Sequence, residues 1–525
     1  MTTAFTELDS EALDALIARV QQAKEHNLAL SPEDCQLLID ALLSLVTVQE
    51  KLADNDITIG KLRKLAGMVQ SSETLGSQVS AGKAKRQTRR KKPETPPVKP
   101  KTIKHTLKHE CKGDVCPECG KGKLYKYEPA TFLRITGQSP FVPEQHVMER
   151  LRCNACGTYF TADLPKDVEA DGEPGQKYGY TARTLMALGK FYAGTPYYRQ
   201  GSLQSLLGVN LTASTVWDQA ELLANDIFPV FRYLRNVLAA DALHYEMDDT
   251  TNRIVDQQPI EKKKRNSEKT QIRTGVYTSG VIATTGQGQR IVLFDTGIGH
   301  AGEFMDEILK NRSPSEPPPL IMSDALASNK PTVIKNANRA LCNAHARRQF
   351  YDVLSHFPQE VEDVIKRYGS IWANEDETLN QQMSPAERLA YHKAHSLPVM
   401  ADLRDWGNQM LKTERVEANS GLGKAIRYLD NHYGGLTCFC HVEGARLDNN
   451  AMEGQLKLVV RNRKNAGFFK SGTGAAVGDV ITSLVATCAQ NGLNPFDYLN
   501  RLQRNAEDVK AHPEKYLPWD ESSQV

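Results

Sequence analysis

The sequence predicts a multidomain α+β protein, and three observations carry that prediction. The chain has 525 residues, more than one hydrophobic core usually organises. Hydrophobic residues at 40% and charged residues at 24% are the values of a folded chain, not a disordered one. Between Ala242 and Asn329 four β-patterned segments follow one another, while the region before them reads as helices.

The N-terminal part, residues 1–80, reads as a helical, coiled-coil segment. Leu38, Ala41, Leu45, Val48, Leu52, Asn55, Ile59, Leu62, Ala66 and Val69 recur at alternating steps of three and four. A lone Asn55 in such a seam is the device that fixes register in a dimer, although an amphipathic helix packed on its own chain has the same periodicity. The opening, MTTAFTELDSEALDAL, is acidic where a secretory signal is basic and then apolar. No stretch approaches the roughly 18 apolar residues of a membrane span, so a cytoplasmic protein without a membrane partner is expected.

Net charge is only +2, but from Ala81 to Lys108 eleven Lys or Arg face a single acid, Glu94. Proline-studded and poor in large apolar residues, residues 81–110 read as a flexible basic linker. Alone, such a run is a solubilising tether; beside other nucleic-acid features it reads as phosphate contact.

Residues 111–165 carry two CxxC knuckles, Cys116-Pro-Glu-Cys119 and Cys153-Asn-Ala-Cys156, each followed by glycine. Two sulfurs on one tight turn reach the same ion, and four thiolates complete the closed tetrahedral shell of a structural zinc site. With ten cysteines over the whole chain, a disulfide scaffold is excluded and a zinc ribbon favoured over a redox dithiol. TFLRITG and QHVMERLRC read as strands returning one knuckle to the other.

Residues 175–238 read as three helices with the outline of a helix-turn-helix: TARTLMALGKFYAG, then YYRQGSLQSLLG ending at Gly208, then TASTVWDQAELLANDIF. Leu203, Leu206, Leu207 and Val209 are the expected core. Thr212, Ser214 and Thr215 open the candidate recognition helix, where base contacts arise, although a purely structural three-helix unit fits the same residues.

In residues 240–350, ALHYEMDDTTNRIV and PPLIMSDALASN each read as a strand ending in an acid, Asp248 and Asp324, with RTGVYTSGVIATT and QRIVLFDTGIG as strands between them. A ribonuclease H-like fold puts acids at these two places and takes a third from a later helix. Glu453 is the candidate: in RLDNNAMEGQLKLVVRNRKN the Asp448-Asn449-Asn450 cluster suits a helix start, and Glu453, Lys457 and Arg461 share one face. Carboxylates supply the hard oxygens that Mg2+ (or Mn2+) needs. Asp249 is the fallback for the first acid and Asp295 for the second. Arg347, Arg348, Arg461, Arg463 and Lys464 suit phosphate, with a solvated face as the plain reading. Cys342 and His345 in CNAHARRQF can be read as metal ligands, but a core pair at a strand-to-helix junction is the commoner explanation for such a couple.

From Cys116 onward these blocks resemble the IS66-type transposases. CPECG and CNACG, KFYAGTPYYRQ with TASTVWDQAELL, CNAHARRQFYDVL, and LGKAIRYLDNHYGGLTCFCHVEGARLDNNAMEGQLKLVVRNRKN with ITSLVATCAQNGLNPFDYL carry the resemblance. It implies a DDE triad on Asp248, Asp324 and Glu453, a helical insertion at 351–445, a catalytic segment at 446–505 and a tail at 506–525. It further implies a bacterial enzyme that binds element ends, cleaves with divalent metal and joins the freed 3′-hydroxyl to target DNA, working as at least a dimer with possible small accessory proteins. The family's usual Asp-Glu-Thr and Asp-Gly-Tyr stand here as Asp248-Asp249-Thr250 and Asp324-Ala325-Leu326. The second departure keeps open a zinc-dependent DNA-binding protein with an inactive transposase domain; a nuclease that cuts without joining is the other alternative.

Overall fold

The computed structural model describes residues 10–26, 29–38, 107, 109, 111–118, 121, 123–124, 139–154, 156, 158–173, 175–263 and 270–519. It divides into two units, Met1–Lys85 and Arg86–Val525. In the first, helix α1 (Ser10–Glu25) and a second helix at 32–38 are joined by Arg19, whose Nε donates to Asp34 Oδ1 at 3.0 Å. Apart from Leu38 and Leu107, the expected seam and basic run lie outside the described residues.

The second unit is mixed α/β. Among the described residues its first regular piece is a hairpin of β1 (Arg150–Arg152) and β2 (Tyr159–Thr161), with Arg152 opposite Tyr159. The strand expected from Gln145 is thus shorter than its sequence pattern, since residues 142–149 carry no regular structure and the segment is exposed. TFLRITG lies outside the described residues.

After a single helical turn at Lys166–Glu169 come three longer helices, α2 (Tyr180–Phe191), α3 (Tyr197–Leu206) and α4 (Ala213–Tyr233). Thr212 caps α4 by accepting from the Thr215 amide at 3.1 Å, and Gly208 adopts φ +87 in the turn before it, where an L side chain is strained. The expected core of this unit is corrected here. Leu203, Leu206 and Leu207 are 51%, 85% and 46% exposed, because α3 turns its other side inward. Gln200, Gly201 and Gln204 are the buried residues of α3, and any Cβ at Gly201 would strike the Leu211 carbonyl. The small apolar core beside them is Met186, Leu211 and Val216.

The centre is a five-stranded sheet in the order β7-β6-β3-β8-β9. Strands β3 (His244–Asn252), β6 (Val276–Thr284) and β7 (Arg290–Gly297) pair antiparallel, rich in the β-branched residues that suit a pleated surface. Strands β8 (Leu320–Ser323) and β9 (Asn338–Leu341) add in parallel beside β3. A hairpin of β4 (Ile260–Lys263) and β5 (Thr270–Arg273) interrupts the path from β3 to β6. Arg273 and Lys262 both reach Glu303 of α5 (Ala301–Leu309), at 2.7 and 2.6 Å.

Register decides which side each acid faces. Asp248, Gly280 and Phe294 stand opposite one another across β3, β6 and β7, and Asp249, Ser279 and Asp295 form the next row. Adjacent rows point to opposite faces. One face packs Ile282, Val292 and Phe294 against Met452, Leu456 and Val459 of α11 (Asn450–Ala466). On the other, Tyr245, Met247, Val281 and Leu293 meet Phe304, Met305 and Ile308 of α5 and the apolar side of α4.

After β9 come α6 (Asn343–Tyr351), α7 (Pro358–Asn380), α8 (Pro385–His395), α9 (Leu397–Lys412) and α10 (Gly421–Asn431). The chain then returns to the sheet through α11, α12 (Gly472–Gln490) and α13 (Pro495–Arg504). Helix α12 is long and apolar enough to cross a membrane, yet most of it is buried inside the protein. Its polar residues explain its position along β7. Asp479, Ser483 and Thr487, spaced four apart, accept from the amides of Thr296, Phe294 and Val292 at 2.7, 2.9 and 3.0 Å. A sheet edge left with unpaired amides invites pairing with other chains; here one face of a helix satisfies it.

Substituting Thr487→Val keeps the side-chain shape and strands the Val292 amide. Urea denaturation is expected to show a loss of about 1–3 kcal/mol, with an unchanged midpoint excluding the edge-capping role.

Candidate active site

Asp248 lies in the middle of β3, not at its end as the sequence pattern suggested. Asp324 immediately follows β8. Glu246 pairs with Met322 across these parallel strands, and the same two-residue step along each leads to Asp248 and Asp324. Asp324 is buried, and its Oδ1 accepts from Asn329 Nδ2 at 2.8 Å and the Leu326 amide at 3.2 Å. Such a turn closed on its own aspartate fixes the carboxylate without a regular element. The substituted Leu326 contributes its amide to this turn, and its side chain is 57% exposed.

Glu453 comes from the first turn of α11. That turn is held against β3 by Asn449, whose Nδ2 donates to the Met247 carbonyl at 3.0 Å, one residue before Asp248. The amide of Asn449 donates to Cys342 Sγ at 3.3 Å. Of the expected cap cluster, Asp448 takes the capping part, accepting from the Asn450 amide at 3.0 Å, while Asn449 makes no side-chain cap. Close approach of α11 depends on Gly280, opposite Asp248, where a Cβ would collide with Met452.

Burial pushes the Asp248 carboxyl up to about 7, and the charges of Asp324, Glu453 and Asp249 push in the same direction against a hydrogen bond from the Asp249 amide. Tyr428 of α10 lies close to Asp324 as well: burial and then that charge raise its phenol to about 12. The helices after β9 therefore reach the site.

The two fallback acids are corrected. Asp249 faces away from α11 and engages His300, with Oδ2 2.9 Å from Nδ1, while the His300 ring stacks on Tyr277 at 4.1 Å. Asp295 shares the Asp249 row, and burial raises its carboxyl among Arg235 and Glu307 on that face.

The expected DNA-contacting residues divide by what they touch. Arg463 donates to Thr250 Oγ1 at 3.1 Å, to Thr251 Oγ1 at 3.0 Å and to the Thr251 carbonyl, tying α11 to β3. Arg461 donates to the Tyr192 carbonyl at 2.9 Å. Lys457, Lys464 and Arg348 are exposed, and Arg347 is partly buried near Tyr351 and Tyr368. The Thr212 hydroxyl bonds those of Ser214 and Thr215 at the start of α4.

Of the four thiols expected to hold zinc, Cys119 lies outside the described residues, and Cys116 follows the bridge between Val115 and Lys123. Cys153 and Cys156 share the β1–β2 turn. Hydrogen bonds from the Thr158 hydroxyl, the Thr158 backbone and Cys153 draw the Cys156 thiol down to about 7, the direction that favours a thiolate ligand.

Sequence reading missed the surroundings of Glu453. His345 is not a core residue; its Nδ1 lies 3.8 Å from Glu453 Oε1. Cys342 is buried as expected, but beside the same group. The available signal was the CxxH spacing within CNAHARRQF, one helical turn that sets both side chains on one side of α6.

The fold and site define a mixed α/β protein with an acid-lined centre built from two neighbouring strands and a returning helix. Residues 177–477, more than half of the chain, match the model of the transposase IS66 family, and the chain belongs to that family. Among its relatives is an uncharacterized protein of Sinorhizobium fredii, y4hP, 25% identical over 429 residues that cover 77% of this chain and 73% of the relative. A second uncharacterized protein of that organism, y4jD, is 30% identical over 188 residues, 34% of this chain and 35% of its own. Membership implies a transposase-type role, with DNA as the partner and use of divalent metal.

The raised carboxyl of Asp248 has a consequence for the metal-free protein. Folded, the group keeps its proton to about pH 7; unfolded, it loses it near pH 4 (about 3.9). The folded state holds the extra proton in that window, so stability falls as pH rises through it and levels above. In chelator, Asp248→Asn is expected to match the wild type near pH 4 and to exceed it by roughly 2–4 kcal/mol above pH 7. Parallel stability profiles would contradict this.

Proposed function

We propose that this chain is a DNA transposase that binds the ends of an insertion sequence, cleaves there with divalent metal and joins the freed 3′-hydroxyl to target DNA. The observation that carries the reading is the gathering of Asp248, Asp324 and Glu453: the charges of the other two raise the first carboxyl. Carboxylates gathered at one place, where each opposes the ionisation of the others, suit a hard divalent ion. Asp248, Asp324 and Glu453 would hold magnesium or manganese, which when bound stabilises charge on the attacking and leaving oxygens of an in-line displacement.

The strand order β7-β6-β3-β8-β9 supports a ribonuclease H-like catalytic domain made of residues 240–350 and 446–505, with 351–445 as its helical insertion. Within it, Asn329 and the Leu326 amide orient Asp324, and Asn449 fixes the level of Glu453 against Asp248. The exposed Lys457 and Lys464 continue along the helix that carries Glu453, and together with Arg348 they form the surface we assign to the DNA backbone. Arg461, Arg463 and Arg347, each with protein contacts of its own, border it. Thr212, Ser214 and Thr215 present hydroxyls at the exposed start of α4 for contact with element ends. Cys116, Cys119, Cys153 and Cys156 would hold zinc in a ribbon, and two copies at least would bring two ends together, with small accessory proteins as further partners.

The test is strand cutting and joining on oligonucleotides carrying element ends. With magnesium, the wild type cuts and joins, and Asp248→Ala, Asp324→Ala and Glu453→Gln each lose on the order of a hundredfold to a thousandfold in rate. Binding without cutting would favour the inactive DNA-binding reading, and cutting without joining a simple nuclease.

A further inference from the structure

Cys342, His345 and Glu453 offer a sulfur, a nitrogen and an oxygen that all lie within 4.8 Å of one another. Two of these atoms are stranded. His345 Nδ1 and Glu453 Oε1 are shielded from solvent and face each other at 3.8 Å, and neither has a hydrogen-bond partner. Buried polar atoms rarely remain so, because each has lost its hydration without replacement. A cation between an imidazole nitrogen and a carboxylate oxygen satisfies both.

The geometry is close to what such an ion requires. A tetrahedral zinc shell with bonds of about 2.0–2.3 Å sets its ligand atoms roughly 3.3–3.8 Å apart, so the trio must contract by about 1.5 Å at most. His345 and Glu453 are both partly exposed and lie in the first turns of α6 and α11, where side-chain rotation can supply that shift. Cys342 is fixed by the Asn449 amide, which also fixes the start of the helix bearing Glu453. The donor set is selective: a thiolate and an imidazole favour zinc-like ions, whereas magnesium prefers oxygen alone.

We propose that Cys342, His345 and Glu453 form a site for a borderline-soft divalent cation of the zinc type, which shares Glu453 with the carboxylate centre. On binding, the Cys342 S–H bond breaks, its proton passes to solvent, and the sulfur keeps the electron pair that it gives to the ion. Three protein ligands leave the fourth tetrahedral position to water. The site stands on these three side chains alone. Its consequence rests on the proposed function: an ion that holds Glu453 withdraws a ligand from the magnesium centre, so zinc opposes magnesium-dependent cleavage.

Cadmium is the probe, because its bond to a thiolate absorbs in the ultraviolet. Metal-stripped full-length protein is titrated with cadmium, and bound metal is counted by equilibrium dialysis. The wild type is expected to bind one equivalent more than Cys342→Ser or His345→Gln, and Cys342→Ser is expected to lose the matching share of thiolate absorbance. His345→Gln, at a partly exposed position, keeps the test valid if the buried cysteine variant misfolds, as circular dichroism will show. Asp248→Ala must retain the additional equivalent, which separates this site from the catalytic reading even if that variant does not cleave. Equal cadmium stoichiometry in the wild type and a folded His345→Gln variant would overturn the proposal.

Discussion

Burying carboxylates beside one another is the constraint on which the rest of the structure depends. Asp248 has lost much of its water and feels the charges of three other acids, Asp324, Glu453 and Asp249, an arrangement that opposes ionisation and weakens the metal-free fold at neutral pH. Such a cluster persists only where the surrounding structure is stiff enough to hold it. The stiffness comes from three places: the central position of β3 between an antiparallel and a parallel neighbour, the turn that Asp324 closes with Asn329 and Leu326, and the clamp of Asn449 on Met247.

The same logic explains helix α12. A sheet that holds acids at one place needs its central strand kept at a fixed level, and that strand is only as firm as the strands outside it. By setting Asp479, Ser483 and Thr487 against the amides of β7, the chain closes the sheet with a helix instead of a sixth strand. The apolar remainder of α12 enters the core on both sides of that edge. Gly280 makes the complementary contribution on the face of the sheet, where its missing side chain admits Met452 and brings Glu453 to the acids.

Much of this was legible in the sequence. The four acid-bearing and apolar segments between Ala242 and Asp324 became β3, β6, β7 and β8 because alternation and β-branched content are local properties. Helices α2, α3 and α4 were readable from capping and periodicity for the same reason. What failed was non-local. Leu203, Leu206 and Leu207 look like core residues, yet the close approach at Gly201 turns α3 the other way, and no periodicity encodes which face a neighbour selects. Asp249 and Asp295 differ from Asp248 by one row of the sheet, and only pairing reveals that this row faces α5. His345 reaches Glu453 from a helix more than a hundred positions earlier, so their proximity follows from the sheet order and not from either motif.

On the proposed reading two kinds of metal chemistry would meet at one glutamate. Glu453 acts on Asp248 through its charge and lies beside the Cys342 thiol and the His345 imidazole, so the ion that takes it would decide which chemistry the centre supports. The central claim is that the three acids together hold the catalytic ions. A crystal grown with manganese, with data collected at its absorption edge, measures this directly. The account predicts anomalous density bounded by the carboxylates of Asp248, Asp324 and Glu453; manganese elsewhere, with these three acids bound to none, would contradict it.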